Sequence, residues 1–250
     1  MKRVALVTGA ASGLGAAVAK RLRAAGYRVG GLDVSPEIDA DLALVADVTQ
    51  EDQVQAAVSK VSSEFGPLHA VACCAGIATR DWLLSHEQPW AEWTRMLDVN
   101  LTGTYRVLRT ALPQLSEVGG AIVLTASVAA TQPLAGGTPY SVSKAGVLAL
   151  MRGLALEYAH RNVRVNAVSP GFMDTPMASR NLSNAAFRKS VESSIPLGRI
   201  SAAEDVAAVI DFLLSDAARD ITGREIVVDA GRSLTTYAIP EVTARLWERQ

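Results

Sequence analysis

Short apolar runs rich in β-branched residues recur along the chain, and longer stretches of helical character separate them. Runs near 3–8, 28–33, 42–46, 68–74, 120–126, 163–168 and 225–229 read as strands. Few polar residues interrupt them, as expected of parallel strands covered on both faces. The alternation of strand-like and helix-like runs predicts one α/β domain, a doubly wound parallel sheet with helices on both faces and right-handed crossovers. Two helical runs, about 90–112 and 139–160, are apolar round much of their circumference.

Composition narrows the class of protein. With 250 residues and 49% hydrophobic content, the chain can bury a large core, and no Pro- or Ser-rich linker divides it. A net charge of −1 with scattered Lys and Arg argues against nucleic acid as a partner, which would need a basic stripe. No apolar run approaches the length of a membrane span, and the first residues read as a strand rather than a signal peptide. A soluble cytoplasmic protein is the expectation. Cys73 and Cys74, the only cysteines, offer neither a disulfide framework nor metal-ligand spacing, and their apolar run suits small buried hydrophobes.

Candidate chemistry begins at the first strand. Lys2 to Thr8 runs directly into Gly9-Ala10-Ala11-Ser12-Gly13-Leu14-Gly15 and then into an Ala-rich helical stretch. Glycines there tolerate positive φ and leave no Cβ, so backbone N–H groups and a helix start can close on a pyrophosphate. The spacing is G-x-x-x-G-x-G, which meets the mechanism of the G-x-G-x-x-G fingerprint without its letter. Eighteen residues after Gly15, the second apolar run ends in Asp33. A carboxylate at that distance accepts hydrogen bonds from ribose hydroxyls and repels a 2′-phosphate, which predicts NAD as the cofactor rather than NADP. Neither Ser12 nor Val34 supplies a cation for such a phosphate. The same Asp33 could also simply cap a turn before Pro36.

A phenol and an ammonium, Tyr140 and Lys144, stand four residues apart at the start of an apolar helical run. On a helix that spacing places both on one face. A fixed cation favours phenolate: at roughly 4 Å and an effective dielectric of about 20 the attraction is about 4 kcal/mol, or about three pKa units. That predicts a phenol lowered toward neutral pH, where acid–base catalysis works best. The pair alone also fits an exposed helical contact.

Taken together these motifs resemble the short-chain dehydrogenase/reductase family, over residues 3 to 231. Thr8 to Gly15 matches its T-G-x-x-x-G-x-G turn, and Tyr140 to Lys144 its Y-x-x-x-K motif. Ser127, thirteen residues before Tyr140, matches the catalytic serine, and Asn100 the catalytic asparagine. Asp47-Val48 is similar to the pair that contacts adenine, and Pro170-Gly171-Phe172-Met173-Asp174-Thr175 to the P-G-x-I-x-T segment that holds the carboxamide. The resemblance implies a Rossmann-like fold. It also implies catalysis by Asn100, Ser127, Tyr140 and Lys144, with a water at Asn100 continuing a proton relay from Lys144. Cofactor contacts are implied at Gly9, Ser12, Gly13, Leu14, Gly15, Asp33, Asp47, Val48, Cys74, Ala75, Gly76, Tyr140, Lys144, Pro170, Met173 and Thr175. A homotetramer formed through the two apolar helical runs is implied as well; packing on their own sheet is the alternative. One departure is visible: the family's N-N-A-G is Cys73-Cys74-Ala75-Gly76 here, which removes a bracing amide at Cys74 and puts the strength of that strand end in question.

The expected activity is NAD-dependent interconversion of a secondary alcohol and its ketone. Phe172, Met173, Met177, Leu182, Phe187 and Ile195 after the sixth strand predict an apolar flap, favouring a cyclic, aromatic or otherwise hydrophobic alcohol, although such residues also serve as packing inside a lid. The rival reading is a catalytically silent NAD-binding sensor or scaffold, which needs no Ser127, Tyr140 and Lys144 together. The domain is expected to end near residue 231. Residues 232–250 then form an extension in which Pro240 opens a short helix at a subunit interface or a frayed tail.

Overall fold

A computed structural model of the chain describes residues 2–237. In chain order its regular elements are β1 (Val4–Thr8), α1 (Gly13–Ala24), β2 (Arg28–Asp33), β3 (Leu42–Val45), α2 (Glu51–Phe65), β4 (Ala70–Cys73) and α3 (Trp90–Leu97). A π-helical turn, Asp98–Gly103, leads into α4 (Thr104–Val118), followed by β5 (Gly120–Thr125), α5 (Thr138–Tyr158) and β6 (Val163–Pro170). The chain then forms α6 (Pro176–Leu182), α7 (Ala185–Ser193), α8 (Ala203–Leu214), β7 (Glu225–Val228) and a 3-10 turn, Arg232–Tyr237. The helix expected from Pro240 lies outside the described residues.

The sheet has the order β3-β2-β1-β4-β5-β6-β7, and every pairing is parallel. Strand order therefore reverses between β1 and β4, the place where open α/β sheets leave a crevice beyond their carboxyl ends. Each expected strand forms within two residues of its predicted ends. Alternation sorts even these continuous apolar runs. In β1, Val4 and Leu6 face one core with residues of α2, α4 and α5, while Ala5 and Val7 face the other with α1 and α8. The second core has small residues on its strands, Ala5, Ala70, Ala72 and Ala121, so α1 and α8 lie close to the sheet.

Several turns are set by what glycine lacks. A Cβ on Gly15 would stand 2.0 Å from the Gly9 carbonyl oxygen, so α1 can leave β1 at this angle only with glycine there. Gly9 itself has φ +70°, a conformation L side chains avoid. The segment expected to form the flap contains two short helices, α6 and α7. Within it Leu182 and Ile195 are buried, so they serve as the packing of the flap itself, while Met177 and Phe187 remain accessible. No helix among the described residues is long and apolar enough to cross a membrane.

Candidate active site

Ser127, Tyr140, Lys144 and Asn100 come from three different stretches of chain and converge at the carboxyl ends of β4 and β5. Ser127 follows β5 and opens a short 3-10 turn, where its Oγ accepts from Ala129 N at 3.1 Å. Tyr140 and Lys144 lie in the first two turns of α5, with Pro139 pre-set for the helix start. Asn100 sits in the π-helical turn, a widening of the helix that often marks functional sites.

The fully buried Asn100 amide joins three elements. Its Oδ1 accepts from Ile77 N at 2.8 Å, and its Nδ2 donates to Ile77 O and to Ser143 Oγ, both at 3.0 Å. Ser143 Oγ in turn donates to the Tyr140 carbonyl at 2.7 Å. The backbone beyond β4 is thereby tied to the helix that carries the phenol and the ammonium. A Cβ built on Gly76 would lie 3.2 Å from Asn100 Oδ1 and 3.5 Å from Lys144 Nζ, so both groups face one point that a side chain would crowd.

Lys144 departs from expectation. Its Nζ donates to the Thr125 carbonyl at 2.8 Å and stands 5.8 Å from the centre of the Tyr140 ring. The ammonium makes its close contact with a backbone carbonyl, and it is not among the groups that shift Tyr140, so the anticipated lowering is absent. Burial instead raises the Tyr140 phenol above its ordinary value, and a hydrogen bond with Ser127 pulls it partly back. Burial also lowers Lys144 to about 8, an effect that the neighbouring Cys74 and Cys73 oppose. A carbonyl partner leaves the ammonium in place but does not neutralise it.

The replaced N-N-A-G segment is braced from a different direction. Thr8 Oγ1 accepts from both Cys74 N and Ala75 N, each at 3.1 Å, so the threonine of the glycine-turn motif holds the end of β4. Thr125 Oγ1 has no oxygen or nitrogen partner, and the Cys74 thiol beside it is a weak one. Burial pushes the Cys74 thiol up to about 11 and Cys73 higher still, with Lys144 drawing both back. Both thiols are protonated at neutral pH, which fits the buried-hydrophobe reading.

The residues expected to hold a dinucleotide form a continuous cradle. Gly9 presses on the backbone after β4, where an added Cβ would lie 2.8 Å from Ala75 N, and Gly13 faces Thr175, where an added Cβ would lie 3.4 Å from the Thr175 Cβ. Ser12 precedes α1 in extended conformation and makes no side-chain cap, leaving the N–H groups of the first turn, at Gly13, Leu14 and Gly15, to a ligand. Asp33 ends β2; its Oδ2 accepts from Ala11 N and its Oδ1 from Ser35 N, both at 3.0 Å. It thus caps its own turn and also aligns the glycine turn, with lone pairs left on each oxygen. Asp47 Oδ1 accepts from Thr49 N at 2.8 Å, and buried Val48 packs against Gly103. Pro170 ends β6, and Met173 bridges to Ser201, which fixes the start of the flap. Among the described residues no group of three His, Cys, Asp or Glu is placed to hold a metal. These features fit a nicotinamide dinucleotide lying across β1 and β4.

Comparison with known proteins agrees with this geometry. A family model described as enoyl-(acyl carrier protein) reductase, a branch of the short-chain dehydrogenases/reductases, matches residues 9–233. The chain belongs to the short-chain dehydrogenase/reductase family. It is 40% identical over 243 residues to a cis-4-hydroxycyclohexanecarboxylate dehydrogenase of Sinomonas cyclohexanicum, covering 92% of this chain and 96% of that one. Levodione reductase, a solved structure, superposes with a TM-score of 0.89 at 33% identity, over 93% of this chain and 98% of that one. ElxO with NADP bound superposes at 0.86 and 28% identity, over 93% of this chain and 99% of that one. The protein is an oxidoreductase of the kind that acts on alcohols with a nicotinamide cofactor.

Sequence patterns supplied the four candidate catalytic residues but missed Thr8, Ile77, Thr125 and Ser143 as their supports. Thr8 and Ser143 lie inside the quoted motifs, where position alone could have raised them. Ile77 and Thr125 act through backbone atoms, which leave no signature in side-chain identity.

Because Lys144 gives up its proton near 8, the dissociation constant for NAD(H), followed by fluorescence between pH 6.5 and 9.5, is expected to weaken several-fold above about 8. That limb should vanish in Lys144→Met. The same limb persisting in the variant overturns its assignment to Lys144.

Proposed function

We propose that this protein is an NAD(H)-dependent dehydrogenase that interconverts a ring-bearing or otherwise hydrophobic secondary alcohol and its ketone. The observation that carries the reading is the convergence of Ser127, Tyr140 and Lys144: Ser127 bonds to the Tyr140 phenol, and Lys144 stands 5.8 Å from the Tyr140 ring while facing the gap at Gly76. A nicotinamide dinucleotide held in the cradle would supply hydride transfer at C4 of its ring. Tyr140 exchanges the hydroxyl proton, and Ser127 donates a hydrogen bond to the substrate oxygen as charge develops on it. Lys144 would supply positive charge beside the Tyr140 ring and a donor for the nicotinamide ribose. Asn100 and Lys144 share the gap at Gly76, which supports a water-mediated proton path between them.

NAD is favoured over NADP because Asp33 ends β2 beside exposed Val34, with no cation on the adjoining turn residues Ala11 and Ser12. The NADP named in the ElxO structure marks the alternative within the family. An enoyl reductase reading fits less well, because its Tyr and Lys stand further apart than Tyr140 and Lys144. The ring preference is supported by the cyclohexane ring in the Sinomonas enzyme's name and by accessible Met177 and Phe187 on the flap. A homotetramer is supported by exposed Tyr105, Val142 and Leu156 on α4 and α5 and by Phe212 and Val227 on α8 and β7. Two free thiols suit the reducing cytoplasm.

Tyr140→Phe should lower kcat by about a hundredfold or more while NADH still binds, since a positioned acid–base group contributes about 10²–10⁴. Unchanged turnover at equal folded protein sinks the mechanism, and binding without turnover by the wild type across a broad alcohol panel favours the silent sensor. For the cofactor, kcat/KM with NAD should exceed that with NADP by about a hundredfold or more, because like charges brought together cost several kcal/mol. Asp33→Ala should narrow that ratio at least tenfold, and equal use of NADP by the wild type overturns the role of Asp33.

A further inference from the structure

We propose that Trp82 determines substrate specificity, forming an aromatic platform on which the ring of a cyclic alcohol lies while its hydroxyl meets Tyr140; this rests on the dehydrogenase reading above. Residues 74–89 leave the carboxyl end of β4, the edge of the sheet where ligands bind. This segment is anchored at two places. At its base Asn100 holds Ile77 by both backbone groups. Further along, Gln88 Nε2 donates to Leu83 O at 3.1 Å and to Gly136 O at 3.0 Å, and Ser85 Oγ stands 3.2 Å from Thr138 Oγ1.

Trp82 lies between these anchors, against the backbone that opens α5. A Cβ on Gly136, where φ is +75°, would fall 3.0 Å from the Cα and carbonyl carbon of Trp82. One on Gly137 would come within 3.3 Å of the indole Cζ3. The paired glycines therefore admit the indole, and their helix presents Tyr140 as its third residue. Despite this fixed seat Trp82 is 50% exposed. A large aromatic side chain held by backbone contacts and left half open has already lost its freedom, so stacking a flat or saturated ring on it costs little further ordering. Position selects the ligand: three residues after Gly137, close to one helical turn, α5 carries the phenol that meets the reacting hydroxyl. On this assignment a ring attached to that carbinol carbon lies against the indole and covers more of it than a short acyclic chain does.

The test compares cyclohexanol with 2-butanol at saturating NAD, in the wild type, Trp82→Ala and Trp82→Phe. Covering roughly 100 Å² of indole predicts that Trp82→Ala raises the KM for cyclohexanol by about tenfold or more. The KM for 2-butanol, kcat and the NADH dissociation constant should each stay within about twofold, and Trp82→Phe should keep most of the ring preference. Equal losses for both alcohols, or no change for either, overturn the assignment, and equal losses make Trp82 a fold or subunit contact. If Trp82→Ala does not fold, Trp82→Phe compared with Trp82→Leu decides: the flat ring must retain more of the preference than leucine does. A wild type that turns over neither alcohol nor any other secondary alcohol contradicts the dehydrogenase reading itself, and with it this assignment.

Discussion

The fully buried amide of Asn100 is the interaction on which the site depends. A buried amide without partners is costly, so its hydrogen bonds fix whatever supplies them. Here those partners are both backbone groups of Ile77 and the hydroxyl of Ser143, which extends the chain of bonds to the Tyr140 carbonyl. Three segments remote in sequence are thereby held in one register: the loop after β4, the π-helical turn and the first turns of α5. The widened turn is what brings the amide inward, and Gly103 within it leaves room for Val48. Fold and chemistry meet at that turn.

Around this clamp the charges are arranged by burial more than by pairing. Lys144 is held by a carbonyl, not a carboxylate, so its ammonium stays available for a ligand while desolvation lowers it to about 8. Tyr140 moves the opposite way, upward. Both shifts have one physical cause, because a site closed to water disfavours the charged form of each group.

Much of this was legible in the sequence, because its strongest signals are local. The seven strands announce themselves by β-branched apolar runs, and the glycine turn, Asp33, Ser127 and the Tyr140–Lys144 spacing all lie in short contiguous motifs. What could not be read is tertiary. Whether Lys144 points to the phenol or to Thr125 depends on how deeply α5 is buried against β5, and spacing along a helix carries no record of depth. The strength of the Cys74 strand end was doubted for want of an amide, yet Thr8 braces it from the neighbouring strand, a contact made by sheet register rather than by sequence proximity. In the flap, apolar composition did not distinguish Leu182 and Ile195, which fill its interior, from Met177 and Phe187, which face outward.

The central claim is that this cluster moves a hydride from a carbinol carbon to a nicotinamide, and isotopic transfer tests it most directly. Wild-type protein is incubated with NAD and a secondary alcohol carrying deuterium on the carbinol carbon, and the reduced cofactor is isolated for mass spectrometry and NMR. The account predicts one deuterium per cofactor reduced, at C4 of the nicotinamide and on one face, with none released to water. Reduced cofactor that carries solvent hydrogen at C4, or no reduction by alcohols that the protein binds, contradicts it.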